Sequence, residues 1–210
     1  MKRIALIMFF IFLLSVFSFA RAATQSADGT SMVSSAKVLK NAVNDDLDAL
    51  YELGMKYYFG NGVPKNFKKA FELYTKAALQ GHVDAQFDLG QFYMFGNGVP
   101  KDSRKAYAWF RMAAMQDHSN AQFNLGYMFL AGDGVSRDIA KSYALLKLAV
   151  TNEDPDAFVK AEKTLASISK AMSDDDIKQA QELYNYFLKT IENNKKRENY
   201  KKPWWQRHQR

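Results

Sequence analysis

The chain repeats itself every 36 residues, and this internal repeat limits its fold more than any other feature. The segment 49–54 (ALYELG) returns at 85–90 and again at 121–126 with small changes. A glycine-rich loop follows each copy at the same interval, FGNGVPK at 59–65 and 95–101 and AGDGVSR at 131–137. A period of this length is typical of stacked supersecondary units, which bury a common core only against their neighbours. The sequence therefore predicts a repeat protein.

Each copy contains a first helix that ends at the glycine-rich loop. Ala49, Leu53 and Tyr57 recur at helical spacing and form one apolar face. Gly60 fits a left-handed C-cap, and Pro64 cannot continue a helix. The aromatic residues that recur along this helix are expected to be mostly core: Tyr51, Phe87 and Phe123, and Tyr57, Tyr93 and Phe129.

A glycine lies inside this first helix in all three copies, at positions 54, 90 and 126. Glycine in a helix interior costs about 1 kcal/mol relative to alanine. Because the same unfavourable choice is made three times, we expect a neighbouring helix to approach closely at this position.

A second helix follows the loop in each copy. Asn66, Asp102 and Asp138 fit its N-cap positions. In the first copy its buried face is predicted to contain residues at spacings of three and four, namely Ala70, Phe71, Tyr74 and Ala77.

Residues 49–156 thus carry the pattern A-x-x-x-L-G-x-x-Y/F-x-x-G-x-G-V-x-x-D/N, then K-A and A-A, in three copies. In this pattern the chain resembles the Sel-1-like repeat family, whose short helix–turn–helix repeats are related to tetratricopeptide repeats. The resemblance implies an all-α fold, a right-handed α-solenoid. Ala131, Ser142 and Val150 depart from the pattern, and Ala161-Glu162 replaces Leu-Gly, so no fourth full repeat is expected.

The N-terminus is typical of a secretory signal peptide. A basic start, Met1-Lys2-Arg3, precedes a 17-residue apolar run, and Ala20-Arg21-Ala22 forms a cleavage site. We expect cleavage after Ala22 and an exported protein, periplasmic or secreted. An uncleaved membrane anchor is the alternative, because the run is at the lower limit of bilayer-spanning length.

The domain organisation follows from these signals. We expect a signal peptide at 1–22, a flexible linker at 23–33, an N-terminal capping helix at 34–48, repeats at 49–84, 85–120 and 121–156, C-terminal capping helices at 157–194 and a basic, tryptophan-containing tail at 195–210.

The net charge of +7 is concentrated in the two termini. Residues 1–22 contain three basic residues and no acid, and residues 195–210 contain seven basic residues and one acid, which leaves a net charge of −2 for residues 23–194. A nucleic-acid-binding protein would spread positive charge over its fold, so this class of partner is not expected. The tail, with Trp204 and Trp205, suits either an anionic surface or an acidic protein partner.

The chain has few of the residues that common active sites require, with no cysteine and three histidines. We predict no catalytic residue, no cofactor and no metal site. His82 and His118 are interpreted as exposed loop residues, and the acids at 174–176 as part of a helix cap, with a cation site as the alternative. Some cysteine-rich secreted relatives have been credited with enzymatic or β-lactam-binding activity, but this chain lacks their cysteines.

The resemblance implies a scaffold that binds protein partners, an adaptor or regulator in the bacterial envelope or secreted. The alternative is an envelope-associated structural factor that docks through its tail to an anionic membrane or a cell-wall polymer. The open face of the first helices is the candidate partner surface of the solenoid. Its candidate residues are Glu52, Lys56, Gln91, Asn124 and Tyr127, with Gln86 and Gln122 also assigned to this face, and Trp204 and Trp205 are the candidates in the tail.

Overall fold

A computed structural model describes residues 46–151 and 155–201, which form α-helices, one short 3₁₀ helix and turns. The predicted α-solenoid is confirmed. The helices are α1 (Leu47–Phe59), α2 (Phe67–Leu79), α3 (Val83–Phe95), α4 (Ser103–Ala114), α5 (Ser119–Ala131), α6 (Ile139–Thr151), α7 (Pro155–Ile168) and α8 (Asp174–Lys201), with the 3₁₀ helix at Ser169–Ala171 before α8.

The helical pairs begin two residues earlier than the expected repeat boundaries at 49, 85 and 121. Asp46 is the N-cap of α1, and its side chain accepts a hydrogen bond from the Asp48 backbone N–H at 3.2 Å. His82 and His118 take the same position before α3 and α5. The offset arises because the apolar pattern begins only inside the helix, one turn after its cap.

The predicted caps of the loop between the paired helices are confirmed. The side chains of Asn66, Asp102 and Asp138 each accept a hydrogen bond from a backbone N–H three residues later, at 2.9–3.0 Å. Gly60 and Gly96 end α1 and α3 in the left-handed conformation, with φ of 81° and 75°. Each loop therefore holds its two helices in the same relative orientation.

The core runs between the helices along the length of the solenoid. From α1 to α7, each helix packs on the next one in the chain, and small residues line the contacts: Ala70, Ala77, Ala106 and Ala113 are fully buried. The predicted close approach at the glycines is confirmed, but it occurs within a repeat. A Cβ atom on Gly90 of α3 would lie 2.4 Å from the ring of Phe110 on α4.

The two C-terminal helices pack differently from each other. Helix α7 packs on α6 and α5, as the first helix of a further repeat would. Helix α8 folds back across α6 and reaches the end of α4, where the Asn194 side chain donates a hydrogen bond to the Met115 carbonyl at 2.9 Å. Ile191, buried to 2% exposure, anchors α8 in this position. Since α8 is continuous through Lys201, the expected boundary between cap and tail at 194/195 lies inside a helix.

The predicted cap of α8 is present. Ser173 and Asp176 exchange hydrogen bonds: the Asp176 backbone N–H donates to the Ser173 hydroxyl at 3.2 Å, and the Ser173 N–H donates to the carboxylate at 3.0 Å. The signal peptide, the linker, residues 34–45 of the N-terminal cap, and residues 202–210 with Trp204 and Trp205 lie outside the described residues.

Candidate partner-binding surface

The 36-residue period places equivalent side chains of α1, α3 and α5 side by side. We call their outward-facing side chains the first-helix surface: Glu52, Met55, Phe59, Asp88, Gln91, Phe95, Asn124 and Tyr127. Phe59 and Phe95 share one register and are 62% and 68% exposed, and Tyr127 is 55% exposed. Exposed aromatic side chains grouped on one surface are typical of a protein-binding site.

The structure places four of the predicted partner residues on this surface and separates the fifth from it. Glu52, Gln91, Asn124 and Tyr127 lie on the first-helix surface. Lys56 shares its register with Phe92 and Met128, both of which are buried, and Phe92 packs on Phe71 and Tyr74 of the preceding repeat. The Lys56 side chain is 20% exposed and pairs with Glu52 at 3.7 Å, so it lies beside the first-helix surface.

Gln86 and Gln122, also assigned to the open face, are buried at 1% and 0% exposure. The Gln86 amide donates to the Ala78 carbonyl at 3.1 Å, and its oxygen accepts from the Gln116 amide at 2.7 Å. Gln122 donates to the Ala114 carbonyl at 3.3 Å in the same way. These amides donate a second hydrogen bond to carbonyl groups at the C-terminal ends of α2 and α4, which also accept from the backbone N–H groups of Gly81 and Asp117. Glutamine recurs in one register of the repeat, at positions 86 and 122, and this recurrence could have indicated a buried, hydrogen-bonding role.

His82 and His118 are structural N-caps, so the prediction of exposed loop residues was wrong. Their Nδ1 atoms each accept a hydrogen bond from the backbone N–H of Ala85 or Ala121, at 3.2 Å in both cases. The imidazole of His118 stacks on Phe87 with 4.4 Å between ring centroids, and its Nε2 faces the Asp84 carboxylate at 3.4 Å. Histidine is not among the preferred capping residues, and this is why sequence reasoning missed the role.

A cavity of about 320 Å³ opens between α1 and α3 on the first-helix surface. We call it the α1–α3 cavity. Its walls include Tyr51, Met55, Tyr58 and Phe59, which lie along one stripe of α1 because their spacing follows the helical period. Asp88 and Gln91 line it from α3.

Asp88 is the carboxylate of this cavity, and its surroundings disfavour the charged form. Burial raises the pKa of Asp88 to about 6, and the negative charge of Asp84 acts in the same direction. Hydrogen bonds from the hydroxyls of Tyr51 and Tyr74 favour the ionised carboxylate and oppose part of this rise in pKa. The site therefore holds an acid whose charge is incompletely compensated by the protein.

Charge is segregated between the two helix types. Helices α1, α3 and α5 contain four acids and one base, whereas α2, α4 and α6 contain one acid and eight bases. Two of these acids, Glu52 and Asp88, lie on the first-helix surface as defined above, and none of its residues is basic, so this surface is acidic as well as aromatic. An acidic surface attracts partners that carry positive charge.

Two further properties of the described residues concern metal binding and the crossing of a membrane. Among the described residues, no three His, Cys, Asp or Glu side chains are grouped so that they could hold a metal ion. None of the helices formed by residues 46–151 and 155–201 combines the length and the hydrophobicity that crossing a lipid bilayer requires.

Comparison with known proteins agrees with this architecture. The Sel1 repeat model matches residues 47–82, 83–118 and 119–154. These bounds begin at the first residues of α1, α3 and α5. No curated protein sequence matches the chain.

The solved structures that are similar to this chain include repeat proteins from two bacteria. A Sel1 repeat protein from Oxalobacter formigenes shares 30% identity and a TM-score of 0.58, over 63% of this chain and 96% of that one. A protective antigen of uropathogenic Escherichia coli strains that displays an SLR fold shares 27% identity and a TM-score of 0.50, over 73% of this chain but only 40% of that one. Sel1 repeat proteins are protein-interaction scaffolds and are typically non-catalytic. With three matched repeats over half of its length, this chain belongs to the Sel1 repeat family.

Proposed function

We propose that this protein is an exported, non-catalytic scaffold that binds a protein partner through its first-helix surface. The observation that carries the proposal is the group of exposed aromatic side chains, Phe59, Phe95 and Tyr127, on an acidic surface. Such residues are disfavoured at a purely solvated surface and are enriched at interfaces. The partner we expect presents basic and apolar side chains.

Site-specific cross-linking tests the surface. A photo-reactive amino acid at Tyr127 should capture the same partner as one at Phe95, since both side chains lie on the first-helix surface. Leu79 is the matched control, because it is an apolar residue at the end of α2 with 72% exposure. Equal capture of this partner from position 79 would contradict the assignment of the surface.

Substitution tests whether the surface contributes affinity. Tyr127→Ser should weaken capture of the partner, whereas Leu79→Ser should leave it unchanged. Aromatic residues at the centre of an interface typically account for about 2 kcal/mol or more on truncation. An unchanged affinity in both Tyr127→Ser and Phe95→Ser would refute the proposed surface.

Export rests on the sequence of residues 1–22. N-terminal sequencing of the mature protein should begin at Ala23 and place it in the periplasm or the medium. A chain that begins at Met1 in the membrane fraction would instead support the anchor.

The basic tail supports a second candidate function, docking to an anionic membrane or cell-wall polymer. Residues 195–210 contain seven basic residues and two adjacent tryptophans, a combination suited to an anionic interface. Asn194 and Lys195 hold α8 to the turn after α4, so a truncation that tests the tail should begin after Lys201.

Deletion of 202–210 should abolish sedimentation with phosphatidylglycerol vesicles and leave the helical content unchanged. Sedimentation of the full chain should also weaken as salt increases, because exposed charges are screened over about 8 Å at physiological ionic strength. Undiminished sedimentation of the truncated chain would eliminate this candidate function.

A further inference from the structure

The α1–α3 cavity combines aromatic walls with one carboxylate. Tyr58 and Phe59 meet nearly edge to face, with 4.9 Å between centroids, and Tyr51 lies 5.3 Å from Tyr74 by the same measure. The negative faces of such rings attract a cation placed within about 6 Å of the ring centroid. The walls are therefore suited to a flat, positively charged group.

The carboxylate has capacity for a further donor. An ionised carboxylate accepts about four hydrogen bonds through its two oxygens. The hydroxyls of Tyr51 and Tyr74 lower the pKa of Asp88 as hydrogen-bond donors would, and two donors leave acceptor positions on a side chain that lines the cavity. Gln91 lines the cavity one turn further along α3, and its amide oxygen is another acceptor.

No basic side chain lines this cavity among the residues that the structure describes. Lys56, the one base of α1, α3 and α5, pairs with Glu52 instead. The titratable groups that act on Asp88 are Asp84 of the same helix, His118 at the N-cap of α5, and Tyr51 and Tyr74, and burial opposes its ionisation most strongly. A cation bound in the cavity would supply the compensating charge.

We propose that the α1–α3 cavity binds the guanidinium group of an arginine side chain on the protein partner. This proposal rests on the proposed function, since it specifies what the partner inserts into the first-helix surface. Guanidinium is favoured over ammonium because it is planar, is more weakly hydrated and stacks on aromatic faces while it donates to a carboxylate. A cavity of about 320 Å³ has room for one such side chain.

A small probe tests the cavity without the partner. The mature protein is titrated by NMR with N-acetyl-arginine-N-methylamide, and in parallel with the citrulline and lysine analogues. The arginine probe should shift the resonances of Tyr51, Asp88 and Gln91. We expect it to bind roughly tenfold more tightly than the neutral citrulline probe, because charge-assisted hydrogen bonds and cation–π contacts are both lost with the charge. Equal binding of citrulline and arginine, or no binding of arginine, would overturn the proposal, and tighter binding of lysine would overturn the choice of guanidinium.

Two pairs of variants test whether the arginine probe binds in the α1–α3 cavity. Phe59→Ala should weaken the arginine probe several-fold, whereas Phe95→Ala should not, although Phe95 has the same register and similar exposure. Asp88→Asn should remove the preference for arginine over citrulline, whereas Glu52→Gln, an acid of the same register outside the cavity, should retain it. If the members of either pair behave alike, a general acidic surface and not the cavity binds the probe, and the proposal fails.

Folding of the variants is checked by circular dichroism. Should Asp88→Asn unfold, the Phe59 and Phe95 pair still decides the question, since both side chains are exposed. Failure of the probe experiment leaves the cross-linking test of the first-helix surface intact. Conversely, a surface that captures no partner while the probe binds would refute the proposed function and not the cavity.

Discussion

Alanine at Gly90 should destabilise the protein, and the structure indicates by how much. A Cβ atom at this position would lie 2.4 Å from two carbons of the Phe110 ring and 3.0 Å from a third. Ordinary van der Waals contact begins at 3.4 Å, so the methyl group would intrude by about 1 Å. Phe110 is fully buried and cannot move away without displacing its neighbours.

Two opposing terms set the magnitude. Alanine gains about 1 kcal/mol over glycine in a helix interior. Overpacking of a close-packed core costs about 1–3 kcal/mol and occasionally more, and an intrusion against a buried ring belongs at the upper end. We therefore expect Gly90→Ala to lower the free energy of unfolding by about 2 kcal/mol, equivalent to a decrease in Tm of roughly 4–8 °C.

The third repeat supplies a matched control. Gly126 is in register with Gly90, but its Cβ would lie 2.9 Å from Leu146 and 3.2 Å from the Ser142 carbonyl oxygen, a smaller overlap than the one with Phe110. Gly126→Ala should consequently cost less than Gly90→Ala. The double variant Gly90→Ala/Phe110→Leu reproduces the third repeat's pair in the second, and should be more stable than the sum of the two single effects predicts by about 1 kcal/mol or more.

Urea unfolding followed by circular dichroism measures these free energies, provided that the slope with denaturant is unchanged between variants. If Gly90→Ala is as stable as the unmodified protein, or if the effects of Gly90→Ala and Phe110→Leu are additive, the close contact between α3 and α4 does not explain the glycine.

Three further predictions concern the polar groups of the repeats. His118→Ala should lower the free energy of unfolding by about 1 kcal/mol through loss of an N-cap, and His118→Asn should restore most of it; equal destabilisation by both in urea unfolding would contradict the capping role. Gln86→Ala should cost about 1–3 kcal/mol because it removes two hydrogen bonds of a buried amide, one to the Ala78 carbonyl and one from the Gln116 amide, whereas Gln91→Ala on the surface should change stability by about 0.5 kcal/mol or less; similar losses in the same assay would contradict the burial argument. The pKa of Asp88 is raised to about 6 in the folded state, so between about pH 4 and 6 the folded protein holds a proton on Asp88 that the unfolded chain has lost. The contribution of Asp88 to stability is therefore fully present below about pH 4 and is lost as pH rises through 6. Asp88→Asn should remove that loss and raise the Tm at pH 7 relative to the unmodified protein, and a pH profile of Tm that is the same in both proteins would refute the raised pKa.

The sequence alone determined the architecture, because each repeat contains the local signals that begin and end its two helices. The glycine-rich loop, the caps at Asn66, Asp102 and Asp138, and the alanine-lined faces are local signals whose physical effect does not depend on distant residues. Their recurrence at a fixed period then requires equivalent helices to stack in one way. The glycines at 54, 90 and 126 revealed a close approach before the neighbour was known, since each one is unfavourable unless space is lacking.

The tertiary structure decided which face each polar residue occupies. Gln86 lies next to Phe87 in the chain and is buried only because the end of α2 presents the Ala78 carbonyl, a group that no local pattern reveals. Lys56 lies in a register that is buried in the later repeats. His118 became the cap of α5 because Phe87 and Asp84 of α3 hold its ring. The return of α8 across α6 also depends on which apolar surface the stacked repeats leave uncovered. Contacts between repeats join residues that are distant in sequence, so their partners, and with them the α1–α3 cavity, emerge only when the solenoid has formed.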